Sequence, residues 1–292
     1  MTQPEPKPST PSERPIEAVF FYHVPKTAGS TVLKSLSNRF PGRVFHPQKS
    51  KGLGSATLLA HRKFRMNGDD AARSSQAQAI AGHWASLSLI SGRESRFHKV
   101  CFWRQPADFV ISYYNWHMNR RRDTLSRPVD FKAFTRYLMR NNMARHFLLY
   151  CRDVSGLELM LMSDWRKFEI IAEAARDFDV FEDIAGVDRF IASLGITKLR
   201  DENVVPKERK GRLSLAADEV EALTRRNAVD HYVSRLSRGE DRETVIAEAR
   251  ANLSHTFSPT DVWETLASPY YRFRVLVLPR LPNPFRRAPA AN

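Results

Sequence analysis

The stretch Phe20-Phe21-Tyr22-His23-Val24-Pro25-Lys26-Thr27-Ala28-Gly29-Ser30-Thr31 constrains the fold more than any other part of the chain. The uninterrupted apolar run from Ala18 to Val24 fits a central parallel strand covered on both faces. A short lysine-bearing turn follows. From Thr31 to Leu36, Val32, Leu33 and Leu36 recur at helical spacing and predict a helix packed on that strand. A strand, a tight turn and a helix N-terminus together make an anion site. Free backbone N–H groups face outward there, and the helix dipole favours negative charge. Lys26 adds a point charge, and Thr27, Ser30 and Thr31 add hydroxyl donors.

A second strand-turn-helix follows at Lys99-Val100-Cys101-Phe102-Trp103-Arg104-Gln105-Pro106, continuing through Ser112-Tyr113-Tyr114. Pro106 suits a first helical turn, and the helix is expected to run to about Arg121 with Phe109, Val110, Tyr113 and Trp116 as its apolar stripe. Two anion sites in one sheet point to a ligand with two separated phosphate-like groups.

Further strands are expected at Gln78–Trp84 and Phe178–Phe181. Helices are expected at Phe131–Leu149, Ser163–Ala175, Val187–Leu194, Leu215–Ser237 and Arg242–Leu253. Residues from Gly42 to Asp70 read as a long loop with one short helix. Strands alternating with helices predict an α/β fold, a P-loop-like parallel sheet flanked by helices with a helical C-terminal part. The expected layout is a disordered Pro-rich tail over 1–15, a single domain over 16–285, and a short disordered tail over 286–292.

Hydrophobic residues make up 42% of the 292 residues, enough for a sizeable core, and 46 Lys+Arg against 32 Asp+Glu give a formal charge of +14. Such a surface attracts polyanions without saying which. Of the two cysteines, Cys101 falls in an apolar strand pattern and is expected as a buried free thiol. The N-terminus lacks the apolar core of a signal peptide, and no segment has 18 uninterrupted apolar residues, so a cytoplasmic protein is expected.

The first turn is not a Walker A loop, because its glycine, Gly29, follows the lysine instead of preceding it. No apolar strand closing on an acidic residue is apparent where a magnesium site would need one, which disfavours a kinase. The segment His23 to Thr31 instead resembles the 5′-phosphosulfate loop of sulfotransferases that use 3′-phosphoadenosine 5′-phosphosulfate (PAPS), in particular the carbohydrate branch that includes heparan sulfate 2-O-sulfotransferase. Arg104-Gln105-Pro106 with Ser112 is similar to the 3′-phosphate element of that family, although Gln105 stands where an acidic residue is common. Asn141-Asn142-Met143-Ala144-Arg145-His146-Phe147-Leu148 and Phe178-Asp179-Val180-Phe181-Glu182-Asp183 are weaker echoes in the same order. The resemblance spans about Val19 to Leu236.

It implies a sulfotransferase fold and direct in-line transfer of a sulfuryl group from PAPS to a hydroxyl of a carbohydrate or glycolipid. Lys26 would stabilise the leaving oxygen. Lys26, Thr27, Ala28, Gly29, Ser30 and Thr31 would hold the 5′ end, and Arg104 and Ser112 the 3′-phosphate. His83, after Gly82, would take the acceptor's proton, with His23 as the other candidate. No histidine pair has metal-ligand spacing, and neither a metal nor a nucleic-acid partner is expected. Trp84, Trp103 and Trp116 are candidates for adenine stacking or for the core. Lys207-Glu208-Arg209-Lys210-Gly211 reads as a basic flap or a solvated run, and Arg120-Arg121-Arg122 as an acceptor-steering patch or a cationic helix end. The segment 270–280 reads either as peripheral contact with the inner face of a membrane or as a packed terminal element. The rivals from other classes are a nucleotide-dependent kinase and a non-catalytic polyanion-binding protein.

Overall fold

The computed structural model describes residues 15–47, 68–121, 129, 131–196 and 215–264. The expected tails beyond Pro15 and over 286–292, the 207–211 flap, the side chains of 120–122 and the segment 270–280 lie outside the described residues.

In chain order the elements are β1 (Val19–Tyr22), α1 (Gly29–Arg39), β2 (Val44–Phe45), α2 (Gly68–Gln76), β3 (Ala79–Gly82), β4 (His98–Trp103) and α3 (Pro106–Arg121). There follow α4 (Phe131–Tyr137), α5 (Asn142–His146), a π-helical turn (Phe147–Cys151), α6 (Gly156–Leu161), α7 (Asp164–Ala175) and β5 (Val180–Asp183). Helices α8 (Val187–Ser193), α9 (Ala217–Arg226), α10 (Ala228–Ser237) and α11 (Arg242–Asn252) complete the list.

The five strands form one all-parallel sheet in the order β2-β3-β1-β4-β5. Alternation along β1 sorts its side chains between two cores. Val19 and Phe21 pack with Val32 and Leu36 of α1 and with Val187, Phe190 and Ile191 of α8. Phe20 and Tyr22 face the other way, toward residues of α3, α5, α7 and α10. All four β1 residues are fully buried, as a strand covered on both faces must be. The chain therefore leaves β1 for α1 on one face and leaves the adjacent β4 for α3 on the other. The carboxyl ends of β1 and β4 flank a topological switch point, the place where open α/β sheets bind their ligands.

Several boundaries differ from the sequence reading. The helix expected over 131–149 is broken. Met139 and Asn141 adopt left-handed φ values of 59° and 50°, and the chain resumes as α5 and then widens into the π turn. The helix expected over 215–237 is likewise interrupted at Asn227. The two interruptions explain each other. Asn141 N–H donates to Asn227 Oδ1 at 2.8 Å, and Val229 N–H donates to Asn141 Oδ1 at 3.0 Å. The Asn227 side chain satisfies the backbone of Asn141, and the Asn141 side chain satisfies the first turn of α10. Strand β5 lies two residues later than expected because its ladder with β4 runs from Val100↔Val180 to Trp103↔Asp183. β5 thus closes on an acidic residue, contrary to the expectation. β4 separates it from β1, however, and Asp183 Oδ1 accepts its own turn's Ala185 N–H. The short strand β2 and the start of α2 replace part of the loop expected from Gly42 to Asp70. Cys101 and Cys151 are both buried free thiols. Among the described residues no helix is long and apolar enough to cross a membrane.

Candidate functional site

The loop after β1 carries left-handed backbone at two residues with side chains, Lys26 (φ 65°) and Ala28 (φ 61°). Such alternation turns successive N–H groups toward one concavity, the geometry of an anion nest. Ala28 is also the N-cap of α1, and it has no side chain with which to cap. The N–H groups of Thr31 and Val32 both return to Ala28 C=O, while those of Gly29 and Ser30 have no acceptor within the helix. Thr27 differs from expectation. Its side chain is fully buried and its hydroxyl donates to Val24 C=O at 2.8 Å. Only its backbone N–H is available to a ligand. Ser30 is exposed and Thr31 half-buried at the mouth of the loop.

Gly29 answers to a different demand from the one expected. A Cβ built there would lie 1.8 Å from His23 Nε2. The histidine ring fills the space that a side chain would need, so the glycine is required by His23 as much as by any anion.

Arg104 follows β4, and its Nη1 donates to Lys26 C=O at 3.0 Å. The two residues expected to hold opposite ends of a ligand therefore share one site. Neither forms an ion pair among the described residues, and Arg104 Nε is buried without a partner. Burial lowers the Lys26 ammonium to about 8, and the Arg104 charge adds to that. Burial also lowers Arg104, against Asp108 and Asp183, which raise it. Two half-buried cations thus lie near one another with no ion pair to either among the described residues, and Asp108 and Asp183 act on Arg104 only from beyond ion-pair distance. Lys26 Nζ sits 5.3 Å from the Trp116 ring centroid, a cation–π distance. Ser112 lies one helical turn before Trp116, on the same face of α3, which places it on the side turned to the loop. Trp103 is fully buried and belongs to the core. Gln105 turns toward Ser234 and Arg238 of the α10 end instead.

Gly82 ends β3 with φ at 142°, a conformation that favours glycine, and so delivers His83 beside the loop. His83 Nδ1 lies 2.8 Å from His23 C=O. A carbonyl only accepts, so Nδ1 carries the proton and Nε2 keeps its lone pair. Burial lowers the pKa of His83 and keeps the ring neutral. The His23 ring stacks on it at 4.0 Å between centroids. His23 is itself buried, with Nδ1 unpartnered, and its pKa is pushed well down by burial, His83, His146 and Lys26. His23 underlies His83 and is buried, whereas His83 is half-buried.

The sequence reading missed His146, Tyr22 and Tyr150. Tyr22 Oη lies 2.5 Å from His146 Nδ1 and 2.7 Å from His146 C=O. His146 in turn approaches His83 at 5.6 Å and Tyr150 at 4.7 Å, and Trp84 closes the ring of contacts to both His83 and Tyr150. One signal was present: Tyr22 carries a hydroxyl inside the apolar run of β1.

Comparison with family models, with curated proteins and with solved structures finds no match to this chain.

Proposed function

We propose that this protein is a PAPS-dependent sulfotransferase acting on a hydroxyl of a carbohydrate or glycolipid. One observation carries the reading: Arg104 and Lys26 meet at the switch point, with no ion pair to either among the described residues, beside an uncapped helix N-terminus and a neutral histidine with a free Nε2. A nucleotide with two anionic ends would answer both cations. The nest N–H groups from Thr27 to Ser30, with Lys26, would hold the 5′ end, and Thr31 and Ser30 hydroxyls extend that edge. The Arg104 guanidinium and Ser112 would take the 3′-phosphate. Trp116, whose ring centroid lies 5.3 Å from Lys26 Nζ, would steady the ammonium and offer a face to the base.

PAPS, when bound, supplies an electrophilic sulfuryl group whose bond to the phosphate breaks as the acceptor oxygen attaches. The chain's own contribution is electrostatic and positional. Lys26 places positive charge where negative charge grows on the departing oxygen, an arrangement that is often the largest catalytic term. His83 Nε2 receives the acceptor's proton, and the His23 carbonyl that fixes Nδ1–H is a ready partner for the resulting imidazolium. A kinase is less well supported, because β3, the strand beside β1, ends on Gly82-His83 and supplies no carboxylate there for magnesium.

Thermal-shift measurements with adenosine 3′,5′-bisphosphate, adenosine 5′-phosphate and Mg²⁺-ATP test this. The expected result is a selective rise in Tm with the 3′,5′-bisphosphate. A rise with Mg²⁺-ATP alone, or with none of the three, contradicts the reading.

A further inference from the structure

His83 and His146 are held in the same tautomer by unrelated partners. For His83 the partner is a carbonyl oxygen, which forces the proton onto Nδ1. For His146 the argument runs through Tyr22, whose single hydroxyl proton has two neighbours, the His146 carbonyl and His146 Nδ1. The carbonyl can only accept, so Tyr22 donates to it, and Nδ1 must then carry the proton that reaches Tyr22 Oη. Burial raises the Tyr22 phenol well above its ordinary value, which keeps that proton in place. Both rings consequently turn a lone pair outward at Nε2. Neither Nε2 is buried without a partner, and none of the hydrogen bonds among the described residues uses either one. Burial lowers both pKa values, and His83 lowers His146 further, so both remain acceptors near neutral pH.

Two imidazole acceptors with centroids 5.6 Å apart call for two donors. The surroundings narrow the class. Trp84 and Tyr150 complete a closed set of ring contacts with the two histidines, and all four side chains are partly exposed. Such rings suit the C–H face of a polyol, and none of the four brings a charge of its own with which to pair an ionic group. We infer that His83 and His146 together recognise a pair of neighbouring hydroxyls, so that the acceptor is an uncharged vicinal diol of a sugar or cyclitol. His83 takes the proton of one hydroxyl while His146 Nε2 accepts a hydrogen bond from its neighbour and sets which one is presented. This deepens the sulfuryl-transfer reading, on which it rests for the fate of the activated hydroxyl, but it is measured by binding alone.

The test uses full-length protein labelled with [15N]histidine, with and without adenosine 3′,5′-bisphosphate. Nitrogen chemical shifts should report Nδ1–H and bare Nε2 at both His83 and His146, the reverse of the form that free histidine side chains favour. Titration with methyl α-D-mannopyranoside and with cis- and trans-1,2-cyclohexanediol should move both Nε2 signals with a single affinity. Cyclohexanol should bind about five- to tenfold more weakly than the better diol, the worth of one hydrogen bond. In His146→Phe, which keeps the ring, that preference should fall to about one, while affinity for the 3′,5′-bisphosphate stays unchanged. A proton on Nε2 of His146, diols that move His83 alone, or an equal affinity for cyclohexanol each overturns the inference. The wild-type spectra decide this even if His146→Phe does not fold. Diols engaging both rings in a protein that ignores the bisphosphate would sustain the diol site and overturn the cofactor reading instead.

Discussion

Ala28 and Gly29 sit side by side at the start of α1, and their chemistry runs against their positions. Ala28 holds the left-handed φ that glycine favours, while Gly29 needs to be small because the His23 ring occupies its missing side-chain position. Ala28→Gly relieves about 1 kcal/mol of backbone strain, set against a similar entropy cost in the unfolded chain, and should leave urea-unfolding stability within about 1 kcal/mol of wild type. Gly29→Ala should lose at least about 1–3 kcal/mol in the same assay by overpacking against His23, and should weaken function by displacing the surface on which His83 stacks. At Lys26 the prediction concerns protons. Its pKa lies near 8 in the free protein instead of 10.5, so it is partly neutral just above that pH. A bound phosphate favours the charged form and raises the pKa again. Binding of adenosine 3′,5′-bisphosphate at about pH 8.5, where phosphate is already ionised, should take up protons. Calorimetry in two buffers of different ionisation enthalpy reads the uptake, and affinity should fall as pH rises through about 8. Lys26→Met should abolish the uptake.

Helix α5 is the element that carries His146, and its five residues are too few to stand alone. Asp230 of α10 holds it in place. Its carboxylate accepts Ala144 N–H at 2.7 Å and Met143 N–H at 3.2 Å, and its own carbonyl accepts Trp103 Nε1–H. Burial raises this carboxyl from 3.8 to about 7, against the two N–H bonds that lower it. The folded state therefore binds a proton between about pH 4 and 7 that the unfolded chain has released. Linkage then makes stability fall as pH rises across that window and level off above it. Asp230→Ala should flatten that slope and cost about 1–3 kcal/mol in urea unfolding, because two buried N–H groups lose their acceptor. The same element shows the limit of sequence reading. The β1–α1 and β4–α3 units were legible because each is one continuous segment whose strand, turn and helix are written next to each other, and Pro106–Arg121 matches its expected bounds. His146 was not legible. It reaches the site through a helix broken at Asn141, a break that satisfies Asn227 more than eighty residues away and that no local periodicity records. The tautomer of His83 was equally hidden, since it depends on a carbonyl sixty residues distant.

Across the whole molecule, sheet order converts these local features into one site. β1 lies between β3 and β4, so the lysine loop, the histidine turn after Gly82 and the Arg104 turn share one edge of the sheet. The sequence reading placed the two anion elements in one parallel sheet, at opposite ends of one ligand, and left the order of the strands open. Alternation along β1 also sends His23 to the α1 face, where its ring lies against Gly29 and stacks on His83. A second, remote feature holds the C-terminal side together. Lys167 and Asp261, both almost fully buried, pair with Arg140 and Asp164, so residues 259–264 are fixed against α7 and the turn before α5. That cluster sits within the helical layer that supports α5 and belongs to stability, with no part in the anion site.

The central claim is that one nucleotide is held by Lys26 at one end and Arg104 at the other, and calorimetry of two nucleotides against two variants tests it most directly. Lys26→Ala should weaken adenosine 5′-phosphate and adenosine 3′,5′-bisphosphate alike, each by about tenfold or more for a charge-assisted contact. Arg104→Ala should weaken the bisphosphate by a similar factor and leave the 5′-phosphate nearly unchanged. Arg104→Ala weakening both nucleotides equally would mean that the arginine only braces the Lys26 loop, and a wild-type protein that binds both nucleotides equally well would contradict the account outright.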